Sequence, residues 1–416
     1  MAQTATSAMR IGWLDGLRGF AAMQVVFLHH AQAFLPGLGL RDPSLVHYAW
    51  ERVVMYSPVF LLFDGNFAVC IFFVLSGAAL TRSFESRPFD LIGSTMRRVV
   101  RLGLPMAAAV LLGAALFALM PTVHVLASQM TGSAEFLASN GPTNISALAI
   151  LHQIGMEGVF VGFARMSILP SVAQQYLGLI PMWQGFDPPL WTLHIEFVGS
   201  LFIMLLVALR AVMPRLGHFI LCFGLLVILA ASDLGLFLVG HIVATRWQKQ
   251  QRPVSHDWLG GCLVLIGVVI ATIATPHFIE VLTDLIPTPR FIWHSSPAHL
   301  LSIIGAVTVF LGVSLSPTLQ AGLQTPVFKW LGRISFSLYL THFPVLFTIS
   351  SLMFILLAPR LPYLPAIIVT SLLGIGISLI IADVYERVVD KPAIRLSRLA
   401  GSPRLIFYRV AAFYGR

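Results

Sequence analysis

Residues 58–81 read PVFLLFDGNFAVCIFFVLSGAALT, with Asp64 the only charge. At about 1.5 Å per residue, a helix of that length crosses the roughly 30 Å hydrocarbon core of a bilayer. Working outward, comparable apolar runs fall at about 17–35, 103–121, 190–209, 217–232, 234–247, 258–275, 298–315, 335–357 and 363–385. Together they predict ten transmembrane helices. The fifth and sixth are short, parted only by Ser232-Asp233, and read as a tight hairpin. The rest of the composition agrees: 57% of the 416 residues are hydrophobic and 10% charged, where a soluble globular chain carries about a quarter charged. So few charges cannot solvate a soluble domain. A soluble enzyme, a disordered chain and a coiled coil are excluded, and an all-α polytopic membrane protein is left.

Loop charges set the orientation. With the N-terminus in the cytoplasm, Arg41, Arg52, Arg165, Arg290 and Arg360 fall outside, and the other 21 of the 26 Lys and Arg fall inside. Both termini are therefore expected in the cytoplasm of a multi-pass protein of the inner or plasma membrane. The net charge of +9 resides mainly in these loop-end anchors, which argues against nucleic acid. Segment 122–189 is too long for a simple connection. His152 and Glu157 interrupt its apolar part (Ile145 to Phe163), so it reads as a long extracytoplasmic or re-entrant stretch within a membrane domain covering 1–395. Residues 396–416 read as a basic cytoplasmic tail with aromatics at Phe407, Tyr408, Phe413 and Tyr414. Asp15 and Arg18 break what would be the core of a cleavable signal peptide. Cys70, Cys222 and Cys262 sit in apolar runs with neither disulfide nor metal spacing, and no metal is expected.

Ionisable residues inside spans are costly and mark functional sites. Here they are Arg18, His29, His30, His194, Glu196, His241, His342 and Asp383. Arg18 and His29 are 11 residues apart, about 16 Å along one helix. Arg18 is then at the cytoplasmic boundary and His29 in the outer half. Glu196, counted from Pro188-Pro189-Leu190-Trp191 at the outer surface, lies about 9 Å deep, near the depth of His29. A carboxylate beside an imidazole is the arrangement a general base uses. Arg97, Arg98 and Arg101 cluster at the start of the third span, with Lys329 and Arg333 on the same side. They read either as topology anchors or as bidentate ligands for phosphates. A proton-relay transporter fits the same composition.

Six motifs in order resemble the acyltransferase-3 family of integral membrane proteins, over about Trp13 to Arg395. LDGLRGFAAMQVVFLHH (14–30) is similar to its Arg-x10-His element at Arg18 and His29, and GNFAVCIFFVLSG (65–77) to its Phe-Phe-Val-Leu-Ser-Gly signature. RRVVRLGLP (97–105) resembles its Arg cluster, and PPLWTLHIEF (188–197) its acidic motif at Glu196. LGRISFSLYLTHFPV (331–345) resembles a late motif ending at His342, and ERVVDKPAIR (386–395) the closing one. The chain departs from the pattern at His194, where a small or apolar residue is usual, and at His30, which doubles the motif histidine.

The resemblance implies a stand-alone membrane O-acyltransferase without a C-terminal hydrolase-like domain. It implies a cytoplasmic acetyl-CoA or related acyl-CoA donor, and as acceptor a hydroxyl on an extracytoplasmic carbohydrate or lipid-linked glycan of the cell envelope. On that reading His29 is the base, Glu196 orients it, and Arg18 guards the inner mouth. Arg97, Arg98, Arg101 and Arg333 would hold the donor phosphates. His342, about 10 Å from the inner face, would line the donor channel. Ser76 would be either a covalent acyl carrier or a packing contact. A glycan or metabolite exporter is the alternative, and a non-catalytic partner of an envelope assembly also stays open.

Overall fold

The computed structural model describes residues 11–86, 90–167, 169–247, 256–273, 278–279, 281 and 296–400. The tail from 401 onward, Arg10, Arg87, Lys249, Arg252 and Arg290 lie outside the described residues. The helices are α1 (Gly12–Phe34), α2 (Pro36–Leu40), α3 (Ala49–Met55), α4 (Gly65–Glu85), α5 (Leu91–Leu119) and α6 (Val123–Thr131). Next come α7 (Ala147–His152), α8 (Ser171–Tyr176), α9 (Trp191–Val212), α10 (Arg215–Leu229), α11 (Asp233–Trp247) and α12 (Asp257–Thr272). The series ends with α13 (Pro297–Leu315), α14 (Pro317–Gly322), α15 (Pro326–Val345), α16 (Ser351–Leu357), α17 (Tyr363–Tyr385) and α18 (Lys391–Ala400). No strand occurs among the described residues, only an isolated bridge between Ala164 and Pro181.

Among the described residues, six helical stretches are long and apolar enough to cross a membrane: Gly65–Glu85, Leu91–Leu119, Pro188–Val212, Pro297–Leu315, Pro326–Leu357 and Tyr363–Ala400. The other four apolar runs fall on α1, which carries Asp15 and Arg18 in its first turns, and on α10, α11 and α12, which have 15 to 16 residues.

The chain divides into two compact units. The first comprises the described parts of Met1–Ala21, Asp64–Leu91 and Val198–Gly332. Its helices meet backbone to backbone. A Cβ added at Gly77 of α4 would lie 2.1 Å from the Phe237 carbonyl of α11, and one at Gly240 of α11 would lie 2.1 Å from the Val74 carbonyl of α4. Helices α12 and α13 run antiparallel through two reciprocal pairs, Gly260 with Gly312 and Gly267 with Gly305, where a Cβ would approach the facing carbonyl to 2.6–2.8 Å. In hydrocarbon there is no water to expel between helices. Close contact through small residues then supplies the dispersion energy that holds them. On α10 the residues Leu216, Phe219, Ile220, Phe223, Val227 and Ile228 are exposed, a lipid-facing stripe that water would not tolerate.

The second unit comprises the described parts of Ala22–Phe63, Ile92–Phe197 and Arg333–Arg416. It packs large rings instead: Phe34, Phe117, Phe136, Phe163, Phe186, Phe343, Phe347 and Phe354 share one core. Phe343 and Phe347 stack at 4.1 Å between centroids, and Phe136 meets Phe347 edge-on at 5.2 Å. Two of the long helices of this unit loosen in π-turns, at Leu346–Ser350 just after Pro344 and at Glu386–Asp390, and π-turns also occur at Ala134–Ala138 and Gln153–Glu157. A proline lacks the amide its helix needs, and such turns concentrate at functional sites.

Segment 122–189 folds as short helices within this unit, pinned by the polar residues that interrupt its hydrophobicity. Gln153 Oε1 accepts from the Phe186 amide at 3.0 Å, and Glu157 Oε1 from the Ile180 amide at 2.8 Å. His152 lies 3.3 Å from Glu157 and donates through Nε2 to the Leu177 carbonyl at 3.1 Å. Burial pushes the Glu157 carboxyl above the usual range, partly offset by the Ile180 amide and His152.

Candidate active site

His29 lies near the C-terminal end of α1 and His342 near that of α15, both in the second unit. His29 Nδ1 and His342 Nε2 are 2.8 Å apart. On its other side, His342 Nδ1 lies 2.9 Å from the carbonyl of Leu338, one turn back. A carbonyl only accepts, so His342 carries its proton on Nδ1 and offers a lone pair at Nε2. His29 must then donate from Nδ1, which leaves its own lone pair on Nε2. The relay runs Leu338 O, His342, His29. His342 is fully buried while His29 is half-buried, so the lone pair is carried by the more accessible ring. Phe136 stacks against His29 at 5.5 Å and Phe343 meets it edge-on at 5.7 Å. Aromatic faces favour a ring that becomes cationic.

The placement of His342 differs from the sequence expectation. The apolar run expected from residue 335 belongs to a longer helix: α15 begins at Pro326, which puts His342 about 24 Å along it, where it meets His29.

Glu196 is not hydrogen-bonded to His29. Its Oε1 takes the Arg98 guanidinium at 2.7 Å, so the first turns of α9 lie level with the first turns of α5. The residues that lead into α9 are themselves packed inside the unit. Pro188, Pro189 and Leu190 are buried. Phe186 packs on Gly113 of α5, where a Cβ would stand 3.0 Å from the Phe186 carbonyl. Gly113 is six residues before the end of α5, about 9 Å below it, and Glu196 is deeper still.

Two of the other expected donor-site arginines, Arg101 and Arg333, also have acidic partners. Arg101 bonds to Asp390, and lies over the Phe336 ring at 4.9 Å. Arg333 bridges Asp383 at 2.5 Å and Glu386 at 2.7 Å, acids that also pair with Arg387 and Lys391. Arg97 donates to Ser94 at 2.9 Å. The structure thus gathers Arg98, Arg101 and Arg333 into ion pairs of the second unit. Glu386 and Asp390 come from the closing motif and reach inward from its π-turn. Asp383, one of the ionisable residues read within the spans, is one of these acids.

Arg18 and Ser76 belong to the first unit. Arg18 donates to Asp15 at 3.2 Å and to the Gly332 carbonyl at 3.2 Å, tying α1 to α15. Ser76 sits half-buried on α4 beside Gly77, the residue pressed onto Phe237, a packing position. His30 donates to Val26 O at 2.9 Å, and His194 to Val159 O at 3.1 Å. The departure at His194 therefore ties α9 to segment 122–189.

Sequence reading missed Asp187. It is fully buried, with neither carboxylate oxygen partnered among the described residues, and burial pushes its carboxyl well above the usual range. Lying before Pro188-Pro189, it resembles a loop acid. Only its burial sets it apart.

A family model described as "Acyltransferase domain" matches residues 11–383. The O-acetyltransferase PaAT-1 of Phomopsis amygdali is 26% identical to the chain over 442 aligned positions, covering 93% of this chain and 84% of the relative. No solved structure matches significantly.

Proposed function

Because the chain belongs to the acyltransferase domain family, and is therefore an acyltransferase held in a bilayer by its long apolar helices, we propose that it moves an acetyl group from acetyl-CoA, or a related acyl group, to a hydroxyl. The acceptor we infer is a carbohydrate or lipid-linked glycan. The O-acetyltransferase relative favours oxygen as the acceptor atom and acetyl as the group. Ten spans with both ends in the cytoplasm follow from the loop charges and would open the arginine-rich end to cytoplasmic donor.

The observation that carries the reading is the fixed tautomer of His29, set by its 2.8 Å bond to His342. His29 Nε2 takes the proton of the acceptor hydroxyl as its oxygen attacks the thioester carbonyl. The new carbon–oxygen bond forms, the carbon–sulfur bond breaks, and the proton passes from His29 to the departing thiolate. His342 steadies the transient imidazolium through its neutral Nε2, the part a carboxylate plays in a Ser-His-Asp triad. Glu196 acts through Arg98, as a positioning residue. Arg97, Arg98, Arg101 and Arg333 draw the donor phosphates, exchanging carboxylate partners for phosphate oxygens.

The test follows radiolabel from acetyl-CoA in detergent-purified protein against a panel of glycans, with wild type beside His29→Ala. Losing a general base costs about 10²–10⁴-fold in rate. A monodisperse His29→Ala protein that binds donor and does not turn over is expected. Undiminished turnover in that variant would overturn the assignment. If wild type binds no acetyl-CoA and Arg97, Arg98 and Arg101 can be neutralised without effect, the exporter reading takes its place.

A further inference from the structure

Away from the histidine relay, the first unit holds a second cluster. Helices α10 and α11 form the hairpin around Ser232-Asp233. His218 and Cys222 lie one turn apart on α10 and so share a face, which looks onto His241 of α11. His218 Nε2 is 3.2 Å from His241 Nε2 and 3.3 Å from Cys222 Sγ, and all three atoms lie within 4.8 Å of one another. Cys222 is 4% exposed and His241 not at all.

Hydrogen bonds can join the two imidazoles, but they leave the sulfur lone pairs unused. Thr81 of α4 sits 2.7 Å from the Gly77 carbonyl, which only accepts, so the hydroxyl proton goes there. Thr81 Oγ1, 2.9 Å from His241 Nδ1, must then accept, which puts the imidazole proton on Nδ1 and the lone pair of Nε2 toward the cluster. A proton on His218 Nε2 serves the contact with His241 and not the lone pairs of sulfur. A proton on sulfur serves His218 and leaves two nitrogen lone pairs facing at 3.2 Å. One cation satisfies all three atoms.

Two of the three separations, 3.2 Å between the nitrogens and 3.3 Å from His218 Nε2 to sulfur, are close to those of such a site, and the third is within 4.8 Å. With metal–nitrogen bonds of about 2.05 Å and a metal–sulfur bond of about 2.3 Å, tetrahedral angles place the two nitrogens about 3.3 Å apart and nitrogen and sulfur about 3.6 Å apart. A fixed imidazole tautomer backed by a neighbouring oxygen is also the usual outer support of a metal-bound histidine. Arg210 is the nearby opposing charge, and it is paired with Glu85.

We propose that His218 Nε2, Cys222 Sγ and His241 Nε2 form a site for one thiophilic transition-metal ion, of the zinc class, that clamps the α10–α11 hairpin. Two imidazoles and a thiolate select such ions over magnesium or calcium. A fourth position is left to water. The sequence carried part of this signal in the four-residue spacing of His218 and Cys222. His241 joins them only through the hairpin.

Full-length protein is purified without a polyhistidine tag, stripped with chelator and titrated with cobalt(II). Wild type is expected to bind one equivalent with a thiolate-to-cobalt charge-transfer band that zinc displaces, and zinc is expected to raise its melting temperature. Cys222→Ser should lose the band. Thr81→Val, which keeps all three ligands, should bind about 10-fold more weakly. This second variant decides the matter if Cys222→Ser fails to stay monodisperse. Wild type without a charge-transfer band, or a band retained in Cys222→Ser, would overturn the proposal. It stands independently of acyl transfer.

Discussion

The two units solve one problem in opposite ways. In the first, α4 meets α11 and α12 meets α13 through bare backbone at glycine. In the second, phenylalanine rings fill the interior. The polar accounts differ too. Among the described residues, every buried side-chain polar atom without a hydrogen-bond partner lies in the second unit, except His218 Nδ1 of the proposed metal site. Such atoms cost about 1–3 kcal/mol each when left dry, so the second unit carries the larger polar cost. His30 Nε2 and Ser350 Oγ, both unpartnered, even face the same spot, since a Cβ at Gly374 would meet them at 3.1 and 2.3 Å.

The largest effect should come from filling a backbone contact. A valine at Gly77 has no room, because its Cβ alone would stand 2.1 Å from a carbonyl oxygen that cannot turn aside. Gly77→Val is expected to abolish monodisperse protein on size-exclusion chromatography. Phe347→Leu, which trims a ring in the second unit, should survive the same test with a lowered melting temperature. If both variants behaved alike, the contrast between the units would be lost.

The next effect separates the two pairs within the second unit. Arg98 and Glu196 are 16% and 18% exposed. Removing one partner strands a largely buried charge, at up to about 3 kcal/mol. Glu196→Gln should therefore lower the melting temperature clearly. Below that temperature it should slow turnover less than about 10-fold, against the 10²-fold or more expected for His29→Ala. If Glu196→Gln is as inactive as His29→Ala while fully folded, the acid acts on the reaction itself.

Much of this was legible beforehand for physical reasons. A span needs only length and apolarity, so the runs fall on helices even where α10 and α12 are short. His29, His342 and Glu196 stood out as costly ionisable groups, and Arg98 as one of a basic cluster. Their partners did not. His29 and His342 are 313 residues apart, and their meeting depends on α15 starting at Pro326 rather than at the first uninterrupted apolar residue. The Arg98–Glu196 pair depends on α9 starting below the C-terminal end of α5, which Pro188 and Pro189 do not announce. Counting rises along a helix gives depth only when the starting plane is known. Cys222 was hidden differently, because a cysteine in an apolar run reads as packing until another helix brings histidines to it.

The smallest effect tests whether the polar surplus of the second unit is real. Asp187 is fully buried and unpartnered, and burial raises its carboxyl well above the usual range. The folded chain then holds this proton more tightly than the unfolded chain. Below the unfolded pKa of about 3.9 both states are protonated, and the group contributes nothing to pH dependence. As pH rises past that value, the unfolded state ionises first and gains. Stability falls by up to about 1.4 kcal/mol per pH unit until the folded pKa is reached. Asn keeps the shape and has no proton to lose. Asp187→Asn should therefore match wild type near pH 4 and melt progressively higher than it, by a few degrees, between pH 5 and 7. Parallel melting curves would mean that the carboxylate is ionised and solvated in the folded protein. Asp187 would then leave the set of groups that distinguishes the two units.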